Sequence, residues 1–511
     1  MSDGSRHDQR DDQRDDQRHD QRAAPRDGQP VDLPEASPHP QADTPPGAAS
    51  HDPDRPQALL EFMSTGWAAR EEELPAQAAG APYRAARRRS LAERFPGEVL
   101  VVPTGGYKVR ANDTDYRFRP ATEFAHLVGS HEPDAVLVVE ADGTSVLYQA
   151  PSMDRSTPAF FTDRVYGELW VGPRPTLAAT SALLGVPTRP LEELDKLAGS
   201  AARVVRGYDP RVEALFTIEE DKDSELVTFL SELRLVKDEH EVAQLQDAVD
   251  ATIRGFEDVV RALPQAVATS ERWIEGVFGL RARVDGNDVG YGSICAAGAH
   301  ACTLHWTDND GPVRPGELVL LDMGVEGDEL YTADVTRTLP VSGTFSPRQR
   351  EVYELVHQAQ EAGLAACRPG ADFLEPHRAC MRVLAHGLQR LGVLDDAEAA
   401  LAEDDQRYRR YTLHGVSHML GIDVHDCAHA RDEQYRNGAL QPGYVLTVEP
   451  GLYFQPDDLT VPEDLRGIGV RIEDDVVVTA GGCRNLSAAL PRSADDVEAW
   501  MARLLAEGEP D

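Results

Sequence analysis

Long apolar runs are missing from this chain of 511 residues. No stretch of about 18 apolar residues occurs, so no membrane-crossing helix is expected. The polar N-terminus has no apolar core of the kind a signal peptide needs. Cysteine is scarce: Cys295, Cys302, Cys367, Cys380, Cys427 and Cys483 are the whole complement, and no two form a CxxC pair. So few thiols in so long a chain make no disulfide framework, and reduced thiols in a cytoplasmic protein are the expectation. Basic charge is short as well, with 51 Lys and Arg against 88 Asp and Glu and a formal net charge of −37. Such a field repels phosphate backbones and anionic membrane surfaces, which argues against nucleic-acid or membrane partners.

What is present suits a globular protein. Hydrophobic residues make up 41% and charged residues 27%, and the length exceeds the usual size of one hydrophobic core. The first stretch, residues 1–56, reads as a disordered tail. It opens on His7-Asp8-Gln9-Arg10, repeats Asp-Asp-Gln-Arg twice and returns with His19-Asp20-Gln21-Arg22. It cannot bury enough apolar surface to offset the entropy of ordering. Residues 57–232 read as an α/β domain. The pattern predicts a helix from Arg84 to Phe95, a buried strand over Val99–Val102, a short helix within Phe118–Leu127, and strands Ala135–Val139 and Ser145–Gln149 joined at Asp142-Gly143.

A further unit spans residues 233–511. Asp238 and Glu241 form a capping-box pattern, followed by Val242, Leu245, Val249, Ile253 and Phe256 at helical spacing. Strands are expected at Leu318–Leu321, Leu330–Thr336, Tyr444–Val448 and Val470–Val478. Ser346-Pro347-Arg348-Gln349 marks a helix start, and two long helical patterns run from there to about Leu391. The alternation predicts an α+β catalytic domain with antiparallel strands.

Five segments of this unit concentrate potential ligands: Leu321-Asp322-Met323-Gly324, Ala333-Asp334-Val335-Thr336-Arg337-Thr338, His414-Gly415-Val416-Ser417-His418, Val448-Glu449-Pro450-Gly451 and Arg471-Ile472-Glu473-Asp474-Asp475. Asp322 and Glu449 each close an apolar run, where a carboxylate is costly unless paired, hydrogen-bonded or metal-bound. Asp322, Asp334, Glu449 and Glu473 together carry four negative charges, which two divalent cations would balance. Without them, like charges about 4 Å apart repel by roughly 4 kcal/mol per pair at an effective dielectric near 20. Oxygen-rich donors with one imidazole, His418, suit Mn2+, with Zn2+ or Co2+ as alternatives. His414 and His418 do not make a zincin helix, because no Glu follows His414 and Gly415 disfavours a helix interior. Gly467 and Gly469 lack the third glycine of a dinucleotide loop. His300 and His429 are read as surface residues.

These motifs, with Thr303-Leu304-His305-Trp306, Asp423-Val424-His425-Asp426, Leu452-Tyr453 and Arg466-Gly467-Ile468-Gly469-Val470, resemble the pita-bread metallopeptidases, and aminopeptidase P most closely. The resemblance runs from about Arg87 to Trp500. It implies a pita-bread catalytic domain behind a smaller N-terminal α/β domain of the creatinase type, and a homo-oligomer built through that N-terminal domain. The implied activity is removal of the N-terminal residue from peptides with proline in second position. Prolidase, which shares the ligands but accepts dipeptides, is the alternative, followed by a non-catalytic binding protein on the same fold. The implied ligands of a two-metal centre are Asp322, Asp334, His418, Glu449 and Glu473, with Asp334 and Glu473 bridging. By the same resemblance Glu449 handles the proton of the attacking water, and His305 and His425 orient substrate or stabilise the tetrahedral intermediate. His414 lines the proline pocket with Tyr453, and Arg471 supports Asp322. One departure stands out: Asp322 and Asp334 are 12 positions apart, one more than the family pattern, and the extra residue is expected in the turn Glu326-Gly327-Asp328-Glu329.

Overall fold

The structure, a computed structural model, describes residues 55–68 and 72–508. The expected tail falls almost wholly outside them. The first core forms on a five-stranded mixed sheet, in the order β4-β3-β2-β1-β5: β1 Leu100–Pro103, β2 Val136–Val139, β3 Ser145–Gln149, β4 Thr188–Pro190 and β5 Arg203–Val204. Strands β1 to β3 pair antiparallel, with Leu100 opposite Val139 and Val136 opposite Tyr148, and the two edge strands pair parallel. Val101, Leu137, Val138 and Leu147 are fully buried. Helices α1, Ala81–Arg94, and α2, Thr122–Val128, cover one face through Leu91, Phe124 and Leu127. Helix α1 starts before the expected Arg84 because Pro82 fits its first turn.

The second core is larger. Helix α3, Glu239–Ala268, carries the expected capping box, with the Asp238 carboxylate accepting from the Glu241 amide and the Glu241 carboxylate accepting from that of Asp238. It packs on α4, Glu271–Asp285, where Gly255 lets the Phe278 ring approach: a Cβ there would lie 2.5 Å from Phe278 Cε2. Helices α5, Pro347–Ala366, and α6, Glu375–Arg390, are the two long helical patterns, and Ser346 with Gln349 caps α5 as a second box.

Small antiparallel sheets sit among these helices, and three of the sheets bear on the site. Strand β7, Leu318–Met323, lies between β6, Ile294–Ala297, and β8, Val335–Pro340; its register sets Asp322 opposite Thr336. Strand β9, Val445–Val448, pairs with β12, Asp474–Thr479, which also pairs with β13, Gly482–Asn485. Between them, β10, Gly451–Tyr453, pairs with β11, Gly469–Arg471, with Gly451 opposite Arg471.

Two strand expectations need correction. The Leu330–Thr336 strand is displaced to Val335–Pro340, because Leu330 has φ +70° and ends the turn that opens at Gly327. The Val470–Val478 strand is two strands, broken at Ile472 and Glu473, which frees Glu473 from a ladder position. All six cysteines are free thiols, five buried and Cys483 half-buried. His300 is no surface residue: it is half-buried, stacks on Trp306 with ring centroids 3.9 Å apart, and its Nδ1 lies 2.9 Å from the buried Glu271 carboxylate.

Candidate metal and substrate site

Ends of antiparallel strands deliver the acids to one place. Asp322 sits one residue before the end of β7, and Asp334 immediately precedes β8. The two segments meet at Gly324, where a Cβ would lie 1.7 Å from the Ala333 carbonyl oxygen. Only glycine permits that approach. The longer turn between them is pinned through Glu329, whose carboxylate accepts from Arg84 Nη2 at 2.5 Å and lies 2.7 Å from His240 Nε2.

Asp322 Oδ1 and Asp334 Oδ1 lie 2.7 and 2.6 Å from the Tyr291 hydroxyl. His418 Nε2 lies 3.3 Å from Asp334 Oδ2 and 3.5 Å from Glu449 Oε1, so this imidazole joins two carboxylates of different strands. The Met419 carbonyl, 3.2 Å from His418 Nδ1, orients the ring. Glu473 Oε2 accepts from the Thr336 hydroxyl at 2.6 Å, while its Oε1 is buried without a hydrogen-bond partner. Ligand atoms of Asp334, His418 and Glu473 all fall within 4.8 Å of one another.

Charge in this cluster is not balanced by the protein. Burial, then the charges of Asp322 and Glu449, push the Asp334 carboxyl up to about 6 despite the His418 hydrogen bond. Burial and the neighbouring acids hold Glu473 well above the usual carboxylate range. Burial opposes the charge on His418, but Asp334 and Glu449 outweigh it and raise the ring to about 9. Protons are thus held more tightly here than on the free groups, as in a site short of positive charge. A partnerless buried carboxylate oxygen and an oxygen-rich donor set with one imidazole fit divalent cations.

Arg471 is wholly inside the site. Its Nη2 donates to Asp322 Oδ2, its Nη1 donates to the Tyr453 hydroxyl at 3.0 Å and its Nε to Thr336 Oγ1 at 3.2 Å. The Tyr453 hydroxyl also lies 2.8 Å from His414 Nε2. Glu449 Oε2 is 3.4 Å from His414 Nδ1. Burial raises the Glu449 carboxyl, and the hydrogen bond and charge of His414, with the charges of His418 and Arg471, bring it below its ordinary value.

A cavity of about 290 Å³ opens over the acids. Its walls include all nine residues singled out from the sequence: Asp322, Asp334, His418, Glu449, Glu473, His305, His414, His425 and Arg471. His305 and His425 are exposed there, and the His425 ring stands edge-on to His418 with centroids 4.4 Å apart. Leu304, Ile294 and Val424 supply apolar wall. Three residues escape a reading of the sequence. Tyr291 carries no charge and stands in an unremarkable glycine-flanked stretch. Thr336 is a strand threonine whose hydroxyl serves both Glu473 and Arg471. Asp475 Oδ2 accepts from the Asp334 amide at 3.0 Å and so braces a ligand from behind.

Comparison with known proteins agrees with this geometry. Residues 243–480 match metallopeptidase family M24, and residues 84–206 match the aminopeptidase P N-terminal domain. Xaa-Pro aminopeptidase 1 of Streptomyces coelicolor is 56% identical over 454 residues, covering 87% of this chain and 92% of the relative. Xaa-Pro aminopeptidase of Escherichia coli is 33% identical over 450 residues, covering 81% and 96%. Among solved structures, Pseudomonas aeruginosa aminopeptidase PepP superposes with a TM-score of 0.74 at 31% identity, covering 84% of this chain and 99% of that one. Escherichia coli aminopeptidase P with the inhibitor Pro-Leu gives 0.73 at 31%, with the same coverage. The N-terminal α/β sheet and the antiparallel sheets behind it are those of aminopeptidase P, and the chain belongs to metallopeptidase family M24.

Proposed function

We propose that this protein is a Xaa-Pro aminopeptidase that removes the N-terminal residue from peptides of three or more residues with proline second. The observation that carries the reading is the convergence of Asp322, Asp334, His418, Glu449 and Glu473 beneath a cavity faced by His305, His414 and His425. The M24 family is one of metallopeptidases, and the donor set here suits a pair of cations, Mn2+ in preference to Zn2+ or Co2+. Such ions would polarise the scissile carbonyl as Lewis acids and lower the pKa of a coordinated water from about 15.7 towards about 7.

The chain's own residues supply the rest. Asp322 would hold one ion, His418 with Glu449 the other, and Asp334 and Glu473 would be shared between them. Glu449, held low by its histidines, accepts the proton of the attacking water and passes it to the leaving proline nitrogen. His305 and His425 face the cavity and donate to the carbonyl oxygen as charge develops on it. His414 faces the cavity as the wall against the proline ring, and the hydroxyl of the buried Tyr453 lies 2.8 Å from its Nε2 and supports it. A prolyl amide has no N–H, so a site that never grips that hydrogen loses nothing to proline.

The reading divides the chain after residue 56 into an N-terminal domain over 57–232 and a catalytic domain over 233–511. It includes a homo-oligomer through the N-terminal domain, supported by the exposed Leu169, Trp170, Val171 and Tyr116. A cytoplasmic setting is supported by the six free thiols. The test is a pair of peptides differing only in proline or alanine at the second position, assayed alongside metal analysis of the purified protein. Proline-dependent release of the first residue with bound divalent metal is expected; equal cleavage of both peptides would refute the proline reading.

A further inference from the structure

His425 is exposed in the cavity, and among the described residues no hydrogen bond holds its ring. Its place is therefore set by the backbone of the loop 421–427. That loop is tied down on both sides of the histidine. On one side Asp426 is buried: its Oδ1 accepts from Arg234 Nε at 2.8 Å and from the Cys427 amide at 2.7 Å, with Lys237 Nζ 3.7 Å from Oδ2. Gly421 makes room for that carboxylate, since a Cβ there would lie 2.0 Å from Asp426 Oδ2. These partners come from the segment leading into α3. On the other side the partners come from the N-terminal α/β part of the chain. Thr122 Oγ1 donates to Asp423 Oδ1 at 2.7 Å, and Arg119 Nη2 donates to the Ile422 carbonyl at 2.9 Å. Arg119 is itself oriented by its Nε bond to Glu326 Oε2 at 2.7 Å, beside the turn that joins Asp322 to Asp334.

We propose that Thr122 and Arg119 are positioning residues for His425: by holding Asp423 and the Ile422 carbonyl, the N-terminal domain sets where this imidazole stands over the substrate. The inference rests on the reading of His425 as a substrate-contacting group. It gives the N-terminal domain a part in the chemistry that needs no residue of its own inside the cavity. Exposed side chains on a loop gain precision only from the shell that supports them, and small misplacements of a reacting group are costly.

The test is a double-mutant cycle in the full-length, manganese-loaded protein, with a proline-second tripeptide as substrate. Thr122→Val keeps the shape and deletes the hydroxyl; Thr122→Ser keeps the hydroxyl. In the otherwise unaltered protein Thr122→Val should lower kcat/KM about tenfold, mostly in kcat, with metal content unchanged and Thr122→Ser close to full activity. In a His425→Ala background the same substitution should change kcat/KM by less than about twofold, because the group it positions is gone. Amide hydrogen exchange across residues 421–427 should quicken in Thr122→Val. Equal losses in the two backgrounds, loss of metal, or undiminished activity of Thr122→Val would overturn the proposal. Undiminished activity of His425→Ala alone would instead overturn the underlying role of His425, and the proposal with it.

Discussion

The Tyr291 hydroxyl lies 2.6 Å from Asp334 Oδ1, while the same oxygen is 2.7 Å from Asp322 Oδ1. A phenol carries one hydrogen, so it donates to one carboxylate at a time. The other short contact needs a proton on the acid, which agrees with an Asp334 carboxyl pushed up to about 6. With cations bound, Asp322 and Asp334 would both serve as ligands, and the phenol would keep the two carboxylates in place.

Tyr291→Phe should therefore weaken metal binding by about ten- to a hundredfold while leaving the fold intact. Titration of the metal-free variant with manganese, followed by activity and by calorimetry, reads this directly. An unchanged affinity would remove Tyr291 from the account.

The metal-free protein should lose stability as pH rises. Asp334 binds its proton more tightly folded than unfolded, so the stability this contributes is complete below its ordinary value of 3.8 and is lost as pH passes about 6. His418 behaves alike, contributing fully below 6.5 and losing the contribution as pH passes about 9. Added metal replaces these protons, so its gain in Tm should be larger at about pH 8 than at about pH 5, with proton release on binding. Thermal scans of chelated and manganese-loaded protein at both values check the sign.

Glu449→Ala should abolish hydrolysis while the protein stays folded. It deletes one acid from the cluster, keeps Asp334, His418 and Glu473 together, and leaves His418 its contact with Asp334. Activity with near-native circular dichroism is the measurement, and residual hydrolysis above about one per cent would move the proton-handling role elsewhere.

Arg337 is fully buried and uses its whole fork. It donates to Asp474 Oδ1 at 2.7 Å and to the carbonyls of Glu473, Leu490 and Pro491 at 2.6, 3.0 and 2.8 Å. Arg337→Leu strips the fully buried Asp474 of the nearer of its two guanidiniums, leaving it Arg492 Nε at 3.2 Å, and frees the strand break that carries Glu473. A loss of about 3–5 kcal/mol in unfolding free energy is expected, checked by denaturant titration of the metal-free protein.

Much of this architecture was legible in the residues. Apolar runs marked β1, β2 and β7, and side-chain boxes at Asp238 and Ser346 marked two helix starts, because those signals are local. Strand β8 was not legible: Thr336, Arg337 and Thr338 are buried by hydrogen bonds to distant partners, so its pattern reads as polar. Leu330 and Tyr331 are buried in a turn and read as strand. The four acids and the imidazole of the site stood in recognisable motifs. Tyr291 did not, since its partners lie 31 and 43 residues away and nothing near it in sequence announces them.

The division between aminopeptidase and dipeptidase turns on the far end of the substrate. Of the residues described around the cavity, Arg471 is the one that bears a guanidinium or ammonium, and Asp322 and Tyr453 already occupy it. Arg466 is turned to the Val461 carbonyl at 3.0 Å. A dipeptide's carboxylate thus meets no uncommitted cation there, whereas a longer chain can continue outward with its carboxylate in solvent. The most direct measurement is kcat/KM of the manganese-loaded protein for a Xaa-Pro dipeptide against a longer peptide with the same first two residues. Preference for the longer peptide, with release of the single N-terminal residue, is the predicted result, and hydrolysis confined to the dipeptide would contradict it.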